Sequence, residues 1–219
     1  MSNVRVRILR ENSRIRHSEK ARTFPLTSLQ WGDSIILSEF NMHITVFLGA
    51  KLGKNSVYQE RITELAAWIG SSGHTLVYGG SKEGLMGILA DTALKAGGKV
   101  IGIEPQFFIE SAVQHEGLTQ LIVTKDMAER KKELIARGDA FIVFPGGFGT
   151  MEEFADVLSA IALKHLSAPC IFYNLNGYYD LIHQYLDHMI DVGFAVEDQR
   201  KGVYFVDNLA DIEAILAKV

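Results

Sequence analysis

The sequence predicts an α/β fold: a single Rossmann-like, doubly wound, mainly parallel sheet of about seven strands with helices on both faces. Three observations predict it. From Met42 onward, apolar, β-branched runs of strand length alternate with longer segments whose apolar residues recur at helical spacing. The strand-length runs are continuously apolar rather than alternating, as strands covered on both faces are. Three of the segments that follow strands are glycine-rich, at the edge where such sheets hold their ligands.

The elements follow in order. Strands are expected at His43–Leu48, Thr75–Tyr78, Lys99–Ile103, Leu121–Thr124, Ala140–Phe144, Cys170–Asn174 and Val203–Val206. Between the first two, Val57, Ile62, Leu65, Ala66 and Ile69 make one helical stripe, and after the second Leu85, Ile88, Leu89 and Ala93 make another. Met127 to Arg137, Thr150 to His165, Tyr178 to Val192 and Leu209 to Leu216 complete the helical set.

Composition narrows the function classes. With 219 residues, 47% apolar and 22% charged, the chain has ordinary globular composition. No run approaches the roughly 18–20 apolar residues of a membrane span, so no membrane role is expected. The single cysteine, Cys170, allows no internal disulfide framework, and a reducing, cytoplasmic compartment is the natural home. Residues 1–41 hold seven Lys+Arg against four Asp+Glu, with little sustained apolar period. They read as a basic, loosely ordered extension lacking a signal-peptide core, and Met42 opens the domain expected over 42–219. A charge of +3 is too little to carry nucleic-acid affinity, so no nucleic-acid partner is expected.

The chemistry is sought in the glycine loops. Gly49-Ala50-Lys51-Leu52-Gly53-Lys54-Asn55 spaces its glycines one residue too closely for a phosphate-binding P-loop, and Asn55 stands where a magnesium-holding Ser or Thr belongs. Gly147-Phe148-Gly149 lacks the third glycine of a dinucleotide fingerprint, which argues against NAD. The sharpest signal is Pro145-Gly146-Gly147-Phe148-Gly149-Thr150-Met151-Glu152-Glu153. Its glycines let backbone N–H groups approach an anion, and a helix N-terminus adds its positive end. The same residues fit a capping box in which Thr150 caps the helix and Glu153 reaches back, and both readings stand. A helix N-terminus favours ionised Glu153, and a carboxylate beside a phosphate suggests ribose 5-phosphate chemistry through an oxocarbenium-like cation.

A second candidate is Lys125-Asp126-Met127-Ala128-Glu129-Arg130-Lys131-Lys132, directly after the fourth strand. Its basic triplet can be read as the solvated face of a helix, with i,i+4 pairing such as Asp126 to Arg130, and that reading is preferred for Lys132. A cation in the first turns costs stability unless an anion offsets it, which favours a functional role for Arg130. Tyr78-Gly79-Gly80-Ser81, with Gly84 and Gly87, reads either as a tight turn or as a nucleotide cradle. The seven histidines show no paired metal-ligand spacing, and no metal is expected.

Taken together, Tyr78-Gly79-Gly80…Gly84-Leu85-Met86-Gly87, Met127-Ala128-Glu129-Arg130-Lys131 and Pro145 to Glu153 resemble the LOG (Lonely Guy) family, long labelled possible lysine decarboxylases. The resemblance runs from about Met42 past Phe194 and takes in Asn176-Gly177-Tyr178-Tyr179-Asp180. It implies hydrolysis of the N-glycosidic bond of a nucleoside 5′-monophosphate, an N6-modified adenine nucleotide in cytokinin makers, without a cofactor. By motif matching it implies Arg130 and Glu153 as the catalytic pair, and Gly146, Gly147, Gly149 and Thr150 around the phosphate. It also implies Gly79, Gly80, Lys131, Phe148, Glu152 and Ser159 in the substrate site, and a homodimer with sites near the subunit interface. Departures touch base recognition: Ala50-Lys51 where the family commonly has two serines, Ala112 where a binding Glu is often found, and Ala160 and Ala162 in the helix after the glycine loop. A second reading keeps the pocket without the chemistry, as a nucleotide or molybdenum-cofactor carrier. Lysine decarboxylation is disfavoured, since no lysine stands in a pyridoxal-phosphate context.

Overall fold

The computed structural model describes residues 41–219 except Ala112. The expected extension, apart from its last residue, and the departure at Ala112 therefore lie outside the described residues. The chain runs β1 (His43–Phe47), α1 (Val57–Ser71), β2 (Thr75–Tyr78), α2 (Gly84–Lys95), β3 (Lys99–Pro105), α3 (Gln106–Glu110), β4 (Gln120–Thr124) and α4 (Met127–Arg137). It continues through β5 (Ala140–Val143), α5 (Phe148–Ala162), β6 (Cys170–Tyr173), α6 (Asp180–Asp191), β7 (Val203–Val206) and α7 (Leu209–Leu216).

The seven strands form one sheet in the order β4-β3-β2-β1-β5-β6-β7, and every pairing is parallel. The chain builds outward from β1 to β4, then returns to lay β5 against the free side of β1. That reversal is the topological switch point, where a crevice opens beyond the carboxyl ends of the two central strands.

Alternate strand residues face opposite layers. Ile44, Val46, Leu76, Tyr78 and Ile142 pack with Ile62 and Leu65 of α1, Leu89 and Ala93 of α2 and Ile212 of α7. On the other face, Phe47, Val77, Phe141, Val143 and Phe172 pack with Leu134 of α4, Phe154 and Val157 of α5 and Ile182 of α6. Each such side chain contributes roughly 1.5–3 kcal/mol when fully buried, so the two layers hold the strand ends rigidly enough to position a site.

The expected elements recur with instructive differences. β3 continues through Glu104 and Pro105 because β4 pairs with it that far, Glu104 opposite Val123 and Pro105 opposite Thr124. The edge strands are less buried than the central ones, and Val123 on β4 and Tyr204 on β7 are exposed. Helix α6 starts at Asp180 rather than Tyr178, since a 3-10 turn over Leu175–Gly177 intervenes, with Asn176 and Gly177 at positive φ. Among the described residues, no helix is long and apolar enough to cross a membrane.

Candidate active site

Three loops meet beyond the carboxyl ends of the central strands. Phe144 donates its N–H to Phe47 O, and Gly49 donates to Pro145 O, which ties the loop after β1 to the loop after β5. They touch where neither has a side chain: a methyl group on Gly146 would stand 2.8 Å from Gly49 N. The loop after β1 also touches the start of α2, where a methyl group on Gly84 would stand 2.1 Å from Ala50 O. Gly84 has φ +53°, so its backbone as well as its surroundings require glycine.

Helix α5 begins at Phe148, with Gly147 as its N-cap and no side chain capping it. The capping-box alternative is therefore not realised. Thr150 lies inside the helix, buried against Gly146, and Glu153 turns to another partner. First-turn N–H groups have no acceptor within a helix, and the space beside Gly147 and Gly149 is open, as an anion-receiving end requires. Phe148 is 88% exposed at the same end. Tyr178 and Tyr179 reach over from the segment after β6 to hold this loop. Their hydroxyls donate to Gly146 O and to Phe144 O respectively.

Arg130 enters from α4. Asp126 does not pair with it but caps that helix, accepting from Glu129 N at 2.8 Å. The Arg130 side chain thus runs inward, donating from Nε to Ile103 O at 2.9 Å and from Nη1 to Glu153 Oε1 at 2.7 Å. Both side chains are about nine-tenths buried. Gly79 makes room for the guanidinium, since a methyl group there would stand 2.5 Å from Nη2. Lys131, the next residue, points to the outer face of α5, where its Nζ meets Glu152 at 2.8 Å and Asp156 at 2.9 Å. Lys132 is exposed.

Burial pushes the Glu153 carboxyl up from the usual carboxylate range, while the charge and hydrogen bond of Arg130 pull it back. The expected help from the helix N-terminus is weak for a geometric reason. Glu153 is the sixth residue of α5, not the third, and the dipole effect fades within the first turn. Glu104 was not singled out from sequence. It is 1% exposed, its Oε2 has no hydrogen-bond partner among the described residues, and burial raises its carboxyl to about 7 against the attraction of Arg130. The sequence did hold a signal: one acid inside the apolar run Val100 to Pro105.

The structure thus brings together Gly79, Gly80, Arg130, Gly146, Gly147, Gly149, Thr150 and Glu153, with Lys131 and Glu152 paired at the margin. Ser159 is not among them. It faces an apolar cavity of about 460 Å³ between α5 and α6, lined also by Met151, Leu158, Tyr185, Met189 and Phe194. Ala162 lines the same cavity. Among the described residues, no group of three or more His, Cys, Asp or Glu side chains is arranged to hold a metal ion.

Comparison with known proteins bears on this arrangement. Residues 86–216 match the family model described as "Possible lysine decarboxylase". A cytokinin riboside 5′-monophosphate phosphoribohydrolase of Rhodococcoides fascians is 40% identical over 80% of this chain and 88% of its own length. One from Arabidopsis thaliana is 36% identical over 76% of this chain and 72% of its own. Among solved structures, a molybdenum cofactor binding protein from Rippkaea orientalis superposes with a TM-score of 0.62 at 23% identity, covering 81% of this chain and 96% of that one. The molybdenum cofactor carrier protein of Chlamydomonas reinhardtii gives 0.61 at 20% identity, over 81% and 99%. At that identity the likeness carries the architecture alone.

Proposed function

Since the chain belongs to the LOG family of phosphoribohydrolases, long grouped as possible lysine decarboxylases, we propose that it hydrolyses the N-glycosidic bond of a purine nucleoside 5′-monophosphate. The products are the free base and ribose 5-phosphate, and the working unit is the domain over 42–219. The observation that carries this reading is the buried Arg130–Glu153 pair beside an uncapped helix N-terminus at the switch point.

In this mechanism the phosphate sits at the start of α5, on the N–H groups around Gly147, Gly149 and Thr150, with the ribose extending toward Glu153. As the C1′–N bond lengthens, positive charge develops at C1′ and the ring oxygen, and the Glu153 carboxylate stabilises it. Arg130, held by Ile103 O, fixes the orientation of that carboxylate. Water adds to C1′ while the bonding electrons and a proton go to the departing base. Gly79 and Gly80 bound the site through their contacts with Arg130 and Glu104. Lys131, Glu152 and Phe148 form its rim, while Ser159, on the wall of the α5–α6 cavity, stands outside it.

The relatives' names support a cytokinin nucleotide, with AMP as the unmodified counterpart. The α5–α6 cavity, with Phe194 at 88% exposure, supports a homodimer whose second copy covers it. The lone buried Cys170, its thiol pushed up to about 12 by burial, supports a cytoplasmic setting. The direct test incubates wild type and Glu153→Gln with AMP and an N6-prenylated AMP and follows free base and ribose 5-phosphate. Release that Glu153→Gln abolishes supports the hydrolase. Saturable binding without release by the wild type supports the carrier instead.

A further inference from the structure

Two adjacent glycines separate two buried ionisable groups. A methyl group on Gly79 would strike Arg130, and one on Gly80 would stand 2.5 Å from Glu104 Cγ and 3.3 Å from its Cδ. Glu104 also follows Ile103, whose carbonyl accepts from Arg130 Nε. One buried cation therefore serves two buried carboxyls, Glu153 through a hydrogen bond and Glu104 through space. With both carboxyls ionised the cluster carries a net negative charge where the proposed substrate brings a phosphate. With Glu104 protonated it is neutral.

The hydrogen-bond pattern favours the neutral form. Glu104 is 1% exposed, and among the described residues its Oε2 is buried without a hydrogen-bond partner. An ionised carboxylate buried this way, without a hydrogen bond to its oxygen, costs far more free energy than the neutral carboxyl. The groups facing Glu104 supply little compensating positive charge. From β2 comes the buried Tyr78 hydroxyl, itself under the influence of Asp91 of α2, which pairs with His115, and from α4 comes Arg130, already committed to Glu153.

We propose that Glu104 is a positioning residue of the nucleotide site that works in its protonated form, leaving Arg130 committed to Glu153 and keeping a second negative charge away from the phosphate. The inference rests on the reading of the site given above. Its consequence is linkage: a bound phosphate further disfavours ionised Glu104, so affinity falls as pH rises through the range where Glu104 loses its proton, near 7 in the free protein.

The test measures ribose 5-phosphate affinity by calorimetry, and KM for AMP, from pH 6 to 9 in wild type and Glu104→Gln. The ratio of the two proteins cancels the phosphate's own titration. The wild type is expected to lose about tenfold in affinity relative to Glu104→Gln across that range, the equivalent of one pKa unit of displacement. The loss should appear in KM, with a kcat ratio constant in pH. An infrared carboxylic-acid band, absent from Glu104→Gln, should fade as pH rises and return when ribose 5-phosphate is added. Parallel affinity profiles, or no such band, would overturn the proposal. If Glu104→Gln does not fold, Glu104→Leu serves the same comparison, being neutral and of similar bulk. Failure of nucleotide hydrolysis with this pH-dependent binding intact would count against the hydrolase and leave the role of Glu104 standing.

Discussion

Gly79 and Arg130 are packed so that the glycine's missing side chain is the space the guanidinium occupies, 2.5 Å from where a methyl group would stand. The guanidinium cannot simply swing away, being tied to Ile103 O and Glu153. Gly79→Ala is therefore expected to displace it by a few tenths of an ångström or more and to lower kcat on the order of 10²-fold. Steady-state kinetics check this, and full activity in Gly79→Ala would show that the placement of Arg130 does not matter.

The Arg130–Glu153 pair should be strongly coupled in stability as well. Removing either partner alone leaves a buried charge uncompensated, at a cost of about 3–5 kcal/mol, whereas removing both does not. In a denaturation cycle, Arg130→Ala and Glu153→Ala should each destabilise more than half as much as the double variant. Simple additivity would mean that the two charges are independently solvated.

Glu104 makes stability fall with rising pH. Its carboxyl, ordinarily near 4.5, is raised to about 7 by burial, so the folded state holds a proton that the unfolded state has released. The sign follows: between about pH 4.5 and 7 the folded state binds more protons, and stability drops across that window by at most about 3 kcal/mol. Chemical denaturation at pH 5 and pH 8 should show this decline in the wild type and a smaller one in Glu104→Gln. Equal slopes would show that Glu104 stays ionised throughout.

The homodimer reading is checked by sedimentation. Phe194 is 88% exposed beside the α5–α6 cavity, so Phe194→Asp should convert a dimer to monomers with little change to the fold. A wild type that sediments as a monomer at all accessible concentrations would sink it.

Much of this site was legible in the sequence, because glycine loops and helix starts are local features. Gly146, Gly147 and Gly149 read as a glycine turn before a helix, which the structure places ahead of Phe148, and Arg130 reads as a cation where a helix tolerates it poorly, which the structure turns inward to Glu153. What misled was also local. Thr150-Met151-Glu152-Glu153 satisfies a capping box by spacing, but the tight Gly146–Gly49 contact lets the helix begin at Phe148 and moves Thr150 and Glu153 one turn inward. Glu104 falls just past the expected strand Lys99–Ile103, and only the pairing of β4 as far as Pro105 carries β3 through it and buries it.

The alternation of strand and helix, and so the doubly wound class, was determined by the sequence itself. Periodicity of two or 3.6 is imposed by each segment's own backbone and by which face is buried. Which loops share a site was decided only by the tertiary structure. Arg130 and Glu153 lie 23 residues apart and meet through the strand order β4-β3-β2-β1-β5-β6-β7, which brings the β5 loop back against that of β1. The same order leaves Glu104 buried beside Gly80 with one cation for two carboxyls. Desolvation and pairing depend on neighbours that the chain supplies from a distance, so a carboxyl near pH 7 is a property of the folded molecule and not of any stretch of its sequence.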